Sequence, residues 1–106
     1  MMEGGRGGPQ DRQGAMHLYR LAAAQGFAPA QAELGYVYAT GRLGAADRVR
    51  AYVWLAVANQ VFQDPTVAKS RDDVAATLTP AQIERAKAQV STCMASKFRE
   101  CGEPGQ

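Results

Sequence analysis

The side chains in this chain that could do chemistry are few and poorly placed for it. His17 is the one histidine among 106 residues. No cysteine or serine lies near it in sequence, so neither a nucleophilic triad nor a metal site assembles around it. A place on the surface of a helix is the expectation. Asp72 and Asp73 could act as a carboxylate pair, but neighbouring helical side chains point about 100° apart, which makes a solvated face the stronger reading. Gly4, Gly5, Gly7 and Gly8 lack the Lys-Ser/Thr of a phosphate loop, and no strand leads into them. No nucleophile, base and orienting group can be brought together, so the chain is expected to be no enzyme and to hold no cofactor or metal.

Cys93 and Cys101 lie eight positions apart. On one unbroken helix their Cα atoms would be about 12 Å apart, beyond the ~7 Å that a disulfide tolerates. A bond requires the helix to end near Ser96 or Lys97 and the chain to fold back, which Gly102 and Pro104 permit. The alternative is a buried Cys93 and a free Cys101 in the tail. With His17 at the far end of the chain, two cysteines do not make a metal site.

The elements that must position these groups are helices. Residues 1–10 read as a loop, because four glycines and a proline cannot hold a helix. Asp11 is a good N-cap for a first helix with Ala15, Leu18, Tyr19 and Ala22 on one face, closed by Gly26. Pro29 suits the first turn of a second helix. Its apolar stripe is Ala30, Leu34, Val37 and Tyr38, and Gly41 ends it. After a loop to Ala46, Asp47 caps a third helix with Ala51, Trp54, Leu55 and Ala58 in the spacing of the first. Trp54 could serve as a ligand platform, but on that face it reads as a buried knob. Asp64-Pro65 opens a fourth helix with Val67, Arg71, Val74 and Leu78 on one side. Thr79, Pro80 and Gln82 supply an N-cap, a proline at N1 and a capping box. Ile83, Ala86, Val90 and Cys93 form the buried face of this fifth helix.

These helices repeat. Gly5, Arg6, Gly8, Asp11, Arg12, Ala15, Ala22, Pro29 and Ala32 recur 36 residues later as Gly41, Arg42, Gly44, Asp47, Arg48, Ala51, Ala58, Pro65 and Ala68. Chance in so alanine-rich a chain gives roughly two or three such matches, and a fixed period in this range marks stacked supersecondary units. Gly35 fits that picture. In mid-helix a glycine costs about 1 kcal/mol against alanine, so a neighbouring helix is expected to pack onto it.

Between Ala22 and Ala58 the pattern becomes specific. Ala22, Ala23 and Gly26 are followed by Ala30-Gln31, Leu34, Gly35 and Tyr38, then Gly41 and Gly44, then Asp47, then Ala51 and Trp54. This succession resembles the Sel1-like repeat, in which a helix ending Ala-Ala-x-x-Gly leads into Ala-x-x-Leu-Gly-x-x-Tyr, a Gly-rich loop, Asp and a helix with Ala-x-x-Trp. Residues Gly5 to Asp11 resemble the same loop of a preceding repeat, and Leu78-Thr79-Pro80 with Gln82 resembles the terminal helices of such proteins. Two departures stand out. The first repeat lacks its opening helix, and the last carries Ser70, Arg71 and Val74 where Leu34, Gly35 and Tyr38 would recur. A more polar unit is what a capped solenoid end requires.

The resemblance implies an all-α fold, a short right-handed α-α superhelix of stacked antiparallel helix pairs. Residues 1–10 would be a loop from a truncated preceding repeat, 11–98 the repeat domain with its terminal capping helices, and 99–106 an irregular tail. First helices of stacked pairs line the concave face, which places Ala32, Tyr36 and Thr40 there, with Ala68, Asp72 and Ala75 beside them. Tyr36 projects away from Leu34 and Tyr38 and could anchor a peptide; a half-covered tyrosine without a partner is the equal alternative. Cysteine-rich secreted members of the family carry Cys pairs at the spacing of Cys93 and Cys101, which implies a disulfide and, with it, a periplasmic or secreted protein.

Charge and composition narrow the partner. The net charge is +2, and the basic residues are scattered among acidic ones, so no surface for nucleic acid is expected. No apolar run approaches the ~18 residues of a membrane span. The expected function is a non-catalytic scaffold that binds a protein or peptide on its concave face. The alternative is a structural C-terminal cap of a longer repeat protein with its binding face upstream. The orphaned first helix would leave Leu18, Tyr19 and Ala22 half covered, so self-association through the N-terminal end is expected as well.

Overall fold

Local capping decides where the helices begin and end. A computed structural model describes residues 9–42 and 46–102. All regular structure among them is helical: α1 (Pro9–Ala24), α2 (Ala28–Thr40), α3 (Arg48–Val61), α4 (Pro65–Ala75) and α5 (Pro80–Ala95). Residues 1–8, 43–45 (with the expected loop glycine Gly44) and the tail beyond Gly102 lie outside the described residues. The Asp47 carboxylate accepts the Arg50 N–H at 3.0 Å, and that of Asp64 accepts the Thr66 N–H at 2.8 Å. Thr79 and Gln82 exchange side-chain-to-backbone bonds of 3.1 and 2.9 Å, a complete capping box. Gly26 and Gly41 take the left-handed conformation, with φ of 85° and 73°, that ends α1 and α2.

α1 departs from expectation in two ways. It starts at Pro9, so Asp11 falls in its first turn and is not its N-cap. Proline at a helix's first position loses no bond, because that N–H has no partner in the helix. From position 13 on, the buried side chains of α1 are Met16 and Ala23, whereas Ala15, Tyr19 and Ala22 are half-buried and Leu18 is exposed. The stripe rotates because α2 is the one helix against which α1 packs extensively. The two are also tied by Gln31, fully buried, whose Nε2 donates to the Ala23 carbonyl at 3.0 Å.

α3 is the centre of the molecule. It packs against α2, α4 and α5, and each residue from Ala51 to Ala58 is buried. A helix apolar all round needs cover on all sides, so Tyr52, Val53, Ala56 and Val57 join the expected Ala51, Trp54, Leu55 and Ala58 in the core. Leu78, expected on the α4 stripe, lies in the turn after that helix has ended.

Beyond α5 the chain turns back. The Phe98 N–H donates to the Cys93 carbonyl at 2.8 Å and the Lys97 N–H to that of Met94 at 3.1 Å, the paired bonds of a Schellman ending. Lys97 and Phe98 both have positive φ, 55° and 70°. The reversal brings Cys101 to Cys93, and the two form a disulfide with their Cα atoms 4.3 Å apart, both sulfurs buried. This hook is pinned at three further places. Arg50 Nε donates to the Gly102 carbonyl at 2.7 Å, Gln89 Nε2 donates to that of Glu100 at 2.7 Å, and the Phe98 ring lies against Gly26.

Candidate functional site

Small residues leave a groove between α2 and α4 across the end of α3. Ala28, Pro29, Ala32 and Tyr36 line it from α2, Ala58 and Phe62 from α3 and its C-cap, and Asp64, Thr66 and Val67 from the start of α4. The pocket encloses about 270 Å³. Ala28, Ala32 and Tyr36 share a face of α2 because they are spaced by one helical turn. Phe62 is the residue at which α3 ends. Its backbone is extended, with φ −145° and ψ 106°, and its ring is 69% exposed. The Asp64 carboxylate is already engaged by the Thr66 N–H. What remains is a mostly carbon-lined slot with two aromatic rings. It can hold an apolar side chain.

Of the six residues expected on this face, Ala32 and Tyr36 line the groove, and Thr40, Ala68, Asp72 and Ala75 do not. The Thr40 hydroxyl donates to the Tyr36 carbonyl on its own helix at 2.9 Å. Asp72 is exposed and accepts from Arg71 Nε at 3.0 Å. Ala68 belongs to a separate depression with Asn59, Gln63, Asp64 and Pro65. The groove follows α2 from Ala28 to Tyr36 and takes in only the start of α4, so Thr40 at the end of α2 and Asp72 late in α4 lie beyond it. Phe62 and the α2 start at Ala28 were not singled out by the sequence, and Val67 was read only as part of the α4 stripe. The signal for Phe62 is an aromatic residue standing outside the α3 stripe, just before the Asp64 cap.

The other candidates fall elsewhere. His17 is exposed on α1, and Trp54 is 1% exposed in the core. Asp73 pairs with Lys69 at 3.0 Å. Among the described residues no group of three or more His, Cys, Asp or Glu is arranged to hold a metal ion, and no helix is long and apolar enough to cross a membrane.

A stack of short antiparallel helices joined by glycine-ended turns defines a helical-repeat protein. The Sel1 repeat model matches residues 1–27 and 28–59, together more than half of the chain, and the chain belongs to the Sel1 repeat family. The second matched unit takes in α2 and α3, the hairpin that carries Gly35, Tyr38, Asp47 and Trp54. Repeats of this family are generally scaffolds for protein interaction and typically not catalytic. No curated protein and no solved structure matches the chain significantly.

Proposed function

We propose that the groove between α2 and α4 binds an extended segment of another protein, with one apolar side chain of that segment seated between Tyr36 and Phe62. The observation that carries this reading is Phe62, held out at 69% exposure beside a preformed carbon-lined slot. An exposed aromatic ring flanked by small residues offers rigid contact area at low entropic cost. At about 270 Å³ the slot suits a side chain better than a whole cofactor. The helices around it are ordered before binding, so little ordering cost remains for the scaffold. On this reading the chain is a non-catalytic scaffold and its partner a protein or peptide. Selection of peptides on the immobilised chain, repeated on Phe62→Asp, tests it. Ligands enriched in a large apolar residue that no longer bind Phe62→Asp are the expected result; ligands indifferent to that substitution count against the groove.

A specific observation also favours a capping role. The hook closed by Cys93–Cys101 and the charged exposed side chains of α5 form an end on which no further repeat would stack. The two roles use different surfaces and are compatible.

A further inference from the structure

Among the described residues nothing stacks on the exposed side of α1. Gly14, Leu18 and Leu21 stand at i, i+4 and i+7 on α1, one stripe of the helix. Leu18 is 65% exposed and Leu21 52%. At the 36-residue offset of the repeat they correspond to Trp54 and Val57, which are 1% and 0% exposed. The same positions are therefore core in one repeat and open in the other.

We propose that a second copy of this chain covers the stripe, with the two α1 helices packed antiparallel about a two-fold axis. Three observations favour that occupant. First, the stripe is self-complementary. Antiparallel packing centred near Leu18 sets Leu18 beside Leu18 of the second copy and lays Leu21 of each over Gly14 of the other. A Cβ built on Gly14 meets nothing within 4 Å among the described residues. Glycine in a helix interior is disfavoured unless something packs onto it, and in this fold Leu55 does so at Gly35. Second, from position 13 on the other exposed residues of α1 are Gln13, His17 and Ala24, so over this part of the helix no exposed carboxylate, lysine or arginine would face its own image across the axis. Third, head-to-tail stacking has no counterpart, because the far end presents Glu84, Arg85 and Lys87 on α5 and is closed by the hook. An isologous pair closes on itself and goes no further.

A single helix stripe is a small interface, so the dimer forms in the micromolar range or weaker. Sedimentation velocity of the full, disulfide-intact chain from about 5 μM to about 500 μM reads it directly. A monomer–dimer equilibrium is expected, with the dissociation constant raised at least ~10-fold by Leu18→Glu and by Leu21→Gln, and unmoved by Phe62→Glu. Both α1 positions are exposed, so circular dichroism should report an unchanged fold; two variants guard against either one misfolding. Leu18→Cys should give a covalent dimer on mild oxidation. A monomer at every concentration overturns the proposal. So does a dimer that survives both α1 variants, or one that Phe62→Glu alone dissolves, which would place the contact in the groove.

Discussion

Leu55 is seated directly on Gly35. A methyl group on Gly35 would stand 2.6 Å from Leu55 Cγ, 2.7 Å from Cδ2 and 3.3 Å from the Ala51 carbonyl oxygen. Leu55 is fully buried and cannot swing away. Gly35→Ala gains about 1 kcal/mol of helix propensity but overpacks the α2–α3 contact, which costs about 1–3 kcal/mol. The expected outcome is a net loss of stability in chemical denaturation. The decisive measurement is the same substitution in a Leu55→Ala background, where the two closest contacts are gone, only the 3.3 Å approach to the Ala51 carbonyl remains, and the sign should reverse. Equal effects in both backgrounds would mean that Leu55 is not what keeps position 35 a glycine.

Trp54 and Leu34 fill the space that close-approaching alanines leave around α3, and both are essentially inaccessible to solvent. Trp54→Ala and Leu34→Ala should each cost about 2–5 kcal/mol. Against a total of roughly 5–15 kcal/mol for a domain, either loss is large enough to leave the chain partly unfolded. Thermal melts of both variants check this; an unchanged midpoint in both would contradict the central position of α3.

The hook beyond α5 makes a prediction of opposite sign for a glycine. Lys97 is exposed and sits at φ 55°, the left-handed position of a Schellman ending. For a residue with a Cβ that conformation costs about 1 kcal/mol, so Lys97→Gly should stabilise by roughly 0.5–1 kcal/mol. Reduction of Cys93–Cys101 should destabilise, because the bond closes a loop of eight residues and loop-closure entropy for so short a loop is about 2.5 kcal/mol. Denaturation of the oxidised and reduced chain, with and without Lys97→Gly, separates the two effects. A glycine variant less stable than the parent in both states would show that the lysine side chain contributes more than its backbone strain takes away.

What the sequence made legible was local chemistry. Asp47, Asp64, Thr79, Gly26 and Gly41 bound their helices as read, because each cap is settled by the residue and its immediate neighbours. The close approach at Gly35 was legible for the same reason: a costly residue in mid-helix demands a cause. The rotation of α1 was not, since the stripe that ends up buried depends on which neighbours are present, and α1 packs mainly on α2. The groove was half legible. Ala32 and Tyr36 follow from the turn spacing of α2, but placing Thr40 and Asp72 beside them assumed that α2 and α4 run side by side along their whole length. The slot takes in only the start of α4, beside Phe62 at the end of α3. An aromatic at a helix's C-cap belongs to no periodic stripe, so periodicity gives no reason to select it.

Tyr36 and Phe62 allow binding to be separated from folding. Tyr36 is half-buried and packs against the core, whereas Phe62 is mostly in solvent. If a partner's apolar side chain sits between them, Phe62→Ala should weaken binding by about 2 kcal/mol or more, the usual effect of removing a central aromatic anchor, while moving stability by no more than roughly 0.5 kcal/mol. Tyr36→Ala should weaken binding as well, but with some loss of stability. Asp72→Asn should do little, because it lies outside the slot and an exposed pair such as Arg71–Asp72 contributes about 0–1 kcal/mol. A control on the far surface must avoid Arg50, which holds Gly102 and Asp47; Glu84, exposed on α5, serves instead. Calorimetric titration of one selected peptide against the four variants gives the answer. Loss with Phe62→Ala and Tyr36→Ala and retention with Asp72→Asn and Glu84→Ala would assign the groove, whereas retention with Phe62→Ala would move the binding face elsewhere on the molecule.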